Sequence, residues 1–265
     1  MRVAIACSGS VGLRVGKTGA DSNLRSSFEK ARRAKVEGSN VIGPWSVKQI
    51  GDLADRQSLN ATLINDRERR ARVPIAIVDD EPFAAQQTLT NHGYDVRPIG
   101  DLKSLREIDD FNIILCDLRG VGQNFDQKNQ GAYLIDEIKR NHPEKFVIAY
   151  TAGAQDDLMA RKANEASDVF LRKDADIEEW RNKLDDFIDR LCNPVIVWRR
   201  QRDALVRNNV ATIDILRLED AFVRTVEKAD LGIFERMANG YDIKPDARAV
   251  AQSLVASGIF SLILA

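Results

Sequence analysis

The chain has 265 residues, enough to bury a substantial core as one large domain or two smaller ones. Its 39 Lys and Arg nearly balance 40 Asp and Glu, for a net charge of −1, so no global attraction to nucleic acid or a membrane surface is expected. Three dispersed cysteines (Cys7, Cys116 and Cys192) and two histidines (His92 and His142) offer neither a disulfide framework nor a His-rich zinc site, and they suit a reducing cytoplasm.

The first 72 residues predict a short strand in "MRVAIACSGS", then a Gly/Ser/Thr loop and two helices. Asp21 or Ser22 caps the first helix, Leu24 to Val36, and the second spans Pro44 to Arg56. "GLRVGKTGA" approaches a P-loop, but Val11 stands where the motif requires its first glycine, so a turn-forming loop is the better reading. "DRERRAR", Asp66 to Arg72, reads as a linker or an exposed helix end.

Residues 73–192 alternate. "VPIAIV" is an apolar run of the kind buried on both faces of a parallel sheet. "PFAAQQTLTNHG" follows as a helix, with Pro82 near its start and Gly93 past its end. "YDVRPI" is a strand placed at an edge by Pro98, "DLKSLREI" a short helix, and "FNIILC" a third strand. Then come the helix "GAYLIDEIKRN", the strand "KFVIAY", the helix "QDDLMARKANEA", the strand "DVFLR" and the amphipathic helix "DIEEWRNKLDDFIDRL". Five alternations in this span predict a parallel sheet covered by helices on both faces.

Residues 193–265 are read as mostly helical. One helix follows Pro194, a long one runs from Thr212 until Gly240 ends it, and a last one begins at Pro245. The uncharged C-terminus falls short of the roughly 20 apolar residues of a membrane span and is interrupted by Gln252, Ser253, Ser257 and Gly258, which predicts a packed or interfacial helix. The basic clusters "KARRAK" and "WRRQR" sit in no DNA-reading motif and are taken as solvated helix faces, with no nucleic-acid partner expected.

In an open parallel sheet, ligands bind beyond the carboxyl ends of the strands. Asp79 and Asp80 end the first strand, Asp117 the third, Thr151 the fourth and Lys173 the fifth. This ordered set resembles the receiver domain of two-component response regulators, over about residues 73–192. The resemblance implies a five-stranded, doubly wound, flavodoxin-like domain; outside it lie an additional N-terminal region of unassigned role (1–72) and a mostly helical region (193–265) read as an output or dimerisation region. It implies Asp117 as phospho-acceptor from a histidine kinase or phosphotransfer protein. Asp79, Asp80, Asp117 and the backbone carbonyl of Arg119 would hold Mg2+. Thr151 and Lys173 would contact the phosphoryl group, and Thr151 and Phe170 would act as the switch. The chemistry is coherent, because two repelling acids become useful with a divalent cation between them, and Mg2+ prefers oxygen ligands.

The sequence departs from that family in two places. Asp174 follows Lys173 where the family usually has proline, and the loop "LRGVGQNFDQKNQG" after Asp117 is long, with Phe125 near its middle and expected to cover part of the site. The alternative reading is a receiver-fold binding module that is never phosphorylated. A stand-alone enzyme is not expected, because haloacid-dehalogenase-like phosphatases carry D-x-D after the first strand, whereas here Asp79 is followed by Asp80. A homodimer through the helical C-terminal region is the expected assembly, and no membrane partner is foreseen.

Overall fold

The apolar runs pair into one five-stranded, all-parallel sheet of order β2-β1-β3-β4-β5. The strands are β1 (Pro74–Val78), β2 (Asp95–Pro98), β3 (Ile113–Asp117), β4 (Phe146–Thr151) and β5 (Val169–Arg172). The computed structural model describes residues 47–56, 66–153, 158–240 and 243–264. The predicted strand near the N-terminus, the helix Leu24 to Val36 and the glycine-rich loop lie outside them.

Burial follows strand position. All of β3 and β4 and all but the first residue of β1 are buried, whereas β2 and β5 each bury one residue fully and lie at the edges. Pro98 is therefore tolerated, since an edge strand has one side free of ladder bonds. The fold class expected from the alternation is the one observed.

Helices cover both faces. They are α1 (Asp66–Arg72), α2 (Gln86–Asn91), α3 (Gln130–Asn141), α4 (Leu158–Ala166) and α5 (Ile177–Leu191). Strand alternation divides the interior into two cores. Ala76, Val78, Ile114, Cys116, Val147 and Ala149 face α3 and α4. Ile75, Ile77, Leu115, Ile148 and Tyr150 face the other way, onto Leu89 of α2 and onto Trp180, Leu184 and Phe187 of α5. Helix α1 buries no residue but is fastened by charge, with Arg70 on Asp185 at 2.6 Å and Arg69 on Asp189 at 2.7 Å.

The C-terminal region comprises α6 (Pro194–Arg207), α7 (Thr212–Lys228), α8 (Leu231–Asn239), α9 (Pro245–Ala256) and α10 (Ile259–Ile263). Asn193 caps α6, its Oδ1 accepting from the N–H groups of Val195 (3.0 Å) and Ile196 (3.2 Å), with Pro194 at the first helical position. Asn193→Ala is expected to cost about 1 kcal/mol, read as a melting midpoint lowered by about 2–4 °C.

Two predicted helices are broken. The long pattern from Thr212 stops at Ala229, whose φ is 50°, and restarts where Asp230 accepts from Gly232 N–H at 3.0 Å. The last one turns at Gly258, whose φ of 66° is natural to glycine. Among the described residues no helix is long and apolar enough to cross a membrane.

The helical region shares the core of the second sheet face. One cluster runs from Ile75 and Phe146 through Phe187 and Leu191 to Trp198, Phe222, Phe234 and Phe260. Arg200 of α6 reinforces the junction: it pairs with Asp168 at 2.8 Å, donates to Lys145 O at 2.9 Å and lies 3.9 Å from the Phe146 ring centroid. The segment around the 3-10 helix Ile50–Arg56 packs on the same region, burying Leu53. Lys48 pairs with Glu227 at 2.8 Å, while the backbone N–H groups of Lys48 and Ile50 donate to Asp220 and Glu219.

Candidate functional site

The chain leaves β1 to one side for β2 and returns to the other side for β3, so the sheet order reverses between β1 and β3. A crevice at the carboxyl ends of those strands is where this topology places ligands. Asp79 follows β1 directly and Asp117 is the last residue of β3. Asp79, Asp80 and Asp117 each bring a carboxylate oxygen within 4.8 Å of the others. Asp79 and Asp117 are both 6% exposed, whereas Asp80 is open to solvent.

Lys173, one residue beyond β5, reaches across the rim. Its ammonium lies 3.0 Å from Asp79 Oδ2 and 3.1 Å from Asp117 Oδ2, and 3.6 Å from Glu81. Burial acts to lower the Lys173 pKa, but its hydrogen bonds to Asp79 and Asp117 and their charges outweigh that and hold it above the ordinary lysine value. Burial raises the pKa of Asp117, with Asp79 adding to the rise and Lys173 and the Leu118 N–H opposing it. Asp117 Oδ1 accepts from Leu118 N–H at 2.6 Å, and the Arg119 N–H lies 3.4 Å away.

Two glycines allow the loops to close on these acids. A Cβ at Gly120 would lie 2.2 Å from the Asp80 carboxylate, and φ there is 80°. A Cβ at Gly131, at the start of α3, would stand 2.2 Å from the Asp117 carbonyl oxygen. The long loop between them is folded inward: Val121 is buried, Phe125 packs against the α3–α4 core, and Gly122 N–H donates to Asp101 at 2.6 Å.

Thr151 ends β4 and is buried, with its Oγ1 accepting from Gly153 N–H at 3.1 Å. The Arg119 guanidinium lies against Gly153. The Lys173 N–H donates to Thr151 O at 2.9 Å, so the ends of β4 and β5 are tied together. Phe170 is half-buried and packs against the α3–α4 core, on the face opposite Tyr150. Asp174, which follows Lys173, pairs with Arg172 at 2.8 Å, while Lys173 points inward to the acids.

One neighbour was not singled out from the sequence. The Tyr150 hydroxyl donates to Asp79 Oδ2 at 2.6 Å from within the α5-side core. In sequence it reads as one more apolar residue of a buried strand. The only available signal was its register, directly opposite Asp117 once β3 and β4 pair.

The three carboxylates are a hard-oxygen donor set compatible with a divalent metal ion. No protein-family model matches the chain, and no curated protein matches it in sequence. Similar solved structures are response regulators. A CheY-like receiver domain protein from Methanospirillum hungatei JF-1 is 20% identical over 44% of this chain and 94% of its own, with a TM-score of 0.36. A response regulator from Thermotoga maritima is 18% identical over 44% of this chain and 98% of its own, with a TM-score of 0.34. One from Burkholderia pseudomallei, solved with a phosphorylated aspartic acid, calcium ion and citrate, is 19% identical over 58% of this chain and 92% of its own, with a TM-score of 0.36. The sheet of this chain, all parallel and of order β2-β1-β3-β4-β5, has the flavodoxin-like doubly wound topology. Within that fold, the acids lie at the β1–β3 reversal and Lys173 at the end of β5.

Proposed function

We propose that the protein is a response-regulator-like signalling protein in which Asp117 accepts a phosphoryl group. The observation that carries this reading is the Lys173 ammonium held between Asp79 and Asp117, with Asp80 converging on the same point. A carboxylate attacking a phosphohistidine must approach another anion, and this arrangement gathers the groups that offset the repulsion. An Asp117 carboxylate oxygen attacks phosphorus, the P–N bond of the donor histidine breaks, and the imidazole leaves with the electron pair. Asp79, Asp80, Asp117 and the Arg119 carbonyl are assigned to Mg2+, which when bound supplies positive charge against the phosphoryl oxygens. Lys173 supplies the second positive charge, and the Thr151 hydroxyl is assigned as a donor to the transferred group.

In this reading residues 73–192 are the receiver and residues 193–265 read its state, with Thr151 and Phe170 as switch residues. A histidine kinase or phosphotransfer protein is the donor, the helical region is the dimer surface, and the cytoplasm is the compartment. The described cysteines, Cys116 and Cys192, are both free thiols, as a reducing compartment requires.

The test is incubation with acetyl phosphate. The expected result is a base-labile acyl phosphate that forms with Mg2+ and not with a chelator. Asp80→Asn is expected to raise the Mg2+ concentration needed for half-maximal labelling by about tenfold or more, because it removes a charged ligand. Absence of labelling together with intact partner binding would return the alternative, a receiver-fold binding module.

A further inference from the structure

Tyr150 occupies a position that the phosphoryl chemistry leaves unused. Alternation along β4 sends Thr151 to one face and Tyr150 to the other, so two consecutive residues address the rim from opposite cores. The Tyr150 side chain is fully buried, and its hydroxyl donates to Asp79 Oδ2 at 2.6 Å.

Its partner is already crowded. Asp79 Oδ2 accepts from Tyr150 and lies 3.0 Å from Lys173, while Oδ1 accepts from Glu81 N–H at 2.9 Å and from Lys173 at 3.2 Å. These contacts use about the four lone-pair positions that a carboxylate offers. When Lys173 turns toward a phosphoryl group on Asp117, Asp79 loses two of them. The phenol then has to follow the carboxylate, because a buried hydroxyl left without a partner is costly.

The Tyr150 ring is in turn packed against two other aromatic rings. Its centroid is 5.2 Å from Phe83, in the loop after Asp80, and 5.6 Å from Trp180 of α5. Trp180 is buried and, among the described residues, has no hydrogen-bond partner on its Nε1, so apolar packing and its helix hold it without a polar anchor. From Trp180 the same face of α5 continues through Leu184 to Phe187, stacked on Phe146 at 4.5 Å, and on to Leu191 and the core of α6.

We propose that Tyr150 is a positioning residue that holds Asp79 against Lys173, and that its ring conveys the occupancy of the acidic site to Trp180, α5 and the helical region. This rests on the function proposed above and adds to it a route on the sheet face opposite Thr151 and Phe170.

The test uses the full chain labelled with fluorotryptophan, with the Trp180 resonance assigned in fluorine NMR by Trp180→Phe. Mg2+ binding is measured separately by calorimetry. In the wild type, Mg2+ followed by beryllofluoride, a phosphoryl mimic, is expected to move the Trp180 resonance. Tyr150→Phe keeps the ring and is expected to change Mg2+ affinity by no more than about tenfold, the scale of one lost hydrogen bond, while the Trp180 shift falls at least about fivefold. A purely structural tyrosine would leave that shift in place. Phe83→Leu, which keeps the hydroxyl and loosens the ring contact, is expected to reduce the shift as well, and it serves if the first variant fails to fold. A shift of wild-type size in either variant overturns the inference. So does a motionless Trp180 in a wild type that binds Mg2+ and forms the acyl phosphate, and in that case the proposed function survives. Absence of both Mg2+ binding and labelling sinks the two together.

Discussion

Asp117→Asn is expected to abolish acyl-phosphate formation, lowering label from acetyl phosphate by at least about a hundredfold. The amide has nearly the volume of the carboxylate but is not a nucleophile toward phosphorus. Asp79 remains to hold Lys173, so the rim keeps its main contact. The substitution is not expected to unfold the protein, and the sign of the electrostatics supports this. Asp117 is an acid whose pKa is raised in the folded state, by burial above all, so its ionised form is disfavoured by the native structure relative to the unfolded chain. Asparagine removes that charge, and the metal-free variant is expected to melt no lower than the wild type.

The same shift gives a pH signature. In weakly acidic solution, above the ordinary carboxylate value of about 3.9, native Asp117 takes up its proton before the unfolded chain does. As pH falls through that range, this group gains stability for the wild type that the asparagine variant lacks. The difference between their metal-free melting curves is expected to narrow or reverse in favour of the wild type. Acids held below their ordinary values, such as Asp168 and Asp185, act oppositely but equally in both proteins and cancel. Persistent labelling of the asparagine variant would place the acceptor elsewhere.

Much of this site was legible because each acid or ammonium interrupts an apolar run at a strand end. "IAIVDD", "IILCD", "VIAYT" and "VFLRK" each switch from apolar to polar at the carboxyl end of a strand. A parallel sheet aligns those ends, so one-dimensional punctuation becomes a three-dimensional cluster. Tyr150 carries no such punctuation. Its polar atom matters only because pairing of β3 with β4 sets it opposite Asp117 and beside Asp79.

Helix breaks were legible in proportion to their chemistry. Gly258 could announce a turn, being the residue that takes positive φ without strain, whereas Ala229 does so against its own preference. There the competing capping hydrogen bond from Gly232 N–H to Asp230 prevails over the continuing apolar pattern. The bond between Lys48 and Glu227 joins residues too distant in sequence for any periodicity to encode. It fastens part of the first 72 residues to the last third of the chain.

Phe222→Ala is the substitution expected to cost the most stability. Phe222 is fully buried in α7, with ring centroids of Trp198, Phe260 and Phe234 at 5.3, 5.6 and 6.1 Å. Removing the ring opens a cavity among side chains from three other helices, at a cost of about 3–5 kcal/mol. For a unit of this size each kcal/mol lowers the melting midpoint by about 2–4 °C, so a fall of about 10 °C is expected. The more telling result is which parts melt together. Phe222 belongs to the same continuous core as Ile75, Phe146 and Ile148 of the sheet. Arg200 ties the start of the helical region to the loops entering β4 and β5. Sheet and helices are therefore expected to lose structure in one transition, with far-ultraviolet circular dichroism and the assigned fluorine resonance of Trp180 tracing the same curve in wild type and variant. Two separated transitions would mean that the helical region folds on its own and could pivot about a linker. A single one means that any signal from Asp117 travels by repacking within a shared core, and α5, which runs from Trp180 under the acidic rim to Leu191 beside α6, is the element placed to carry it.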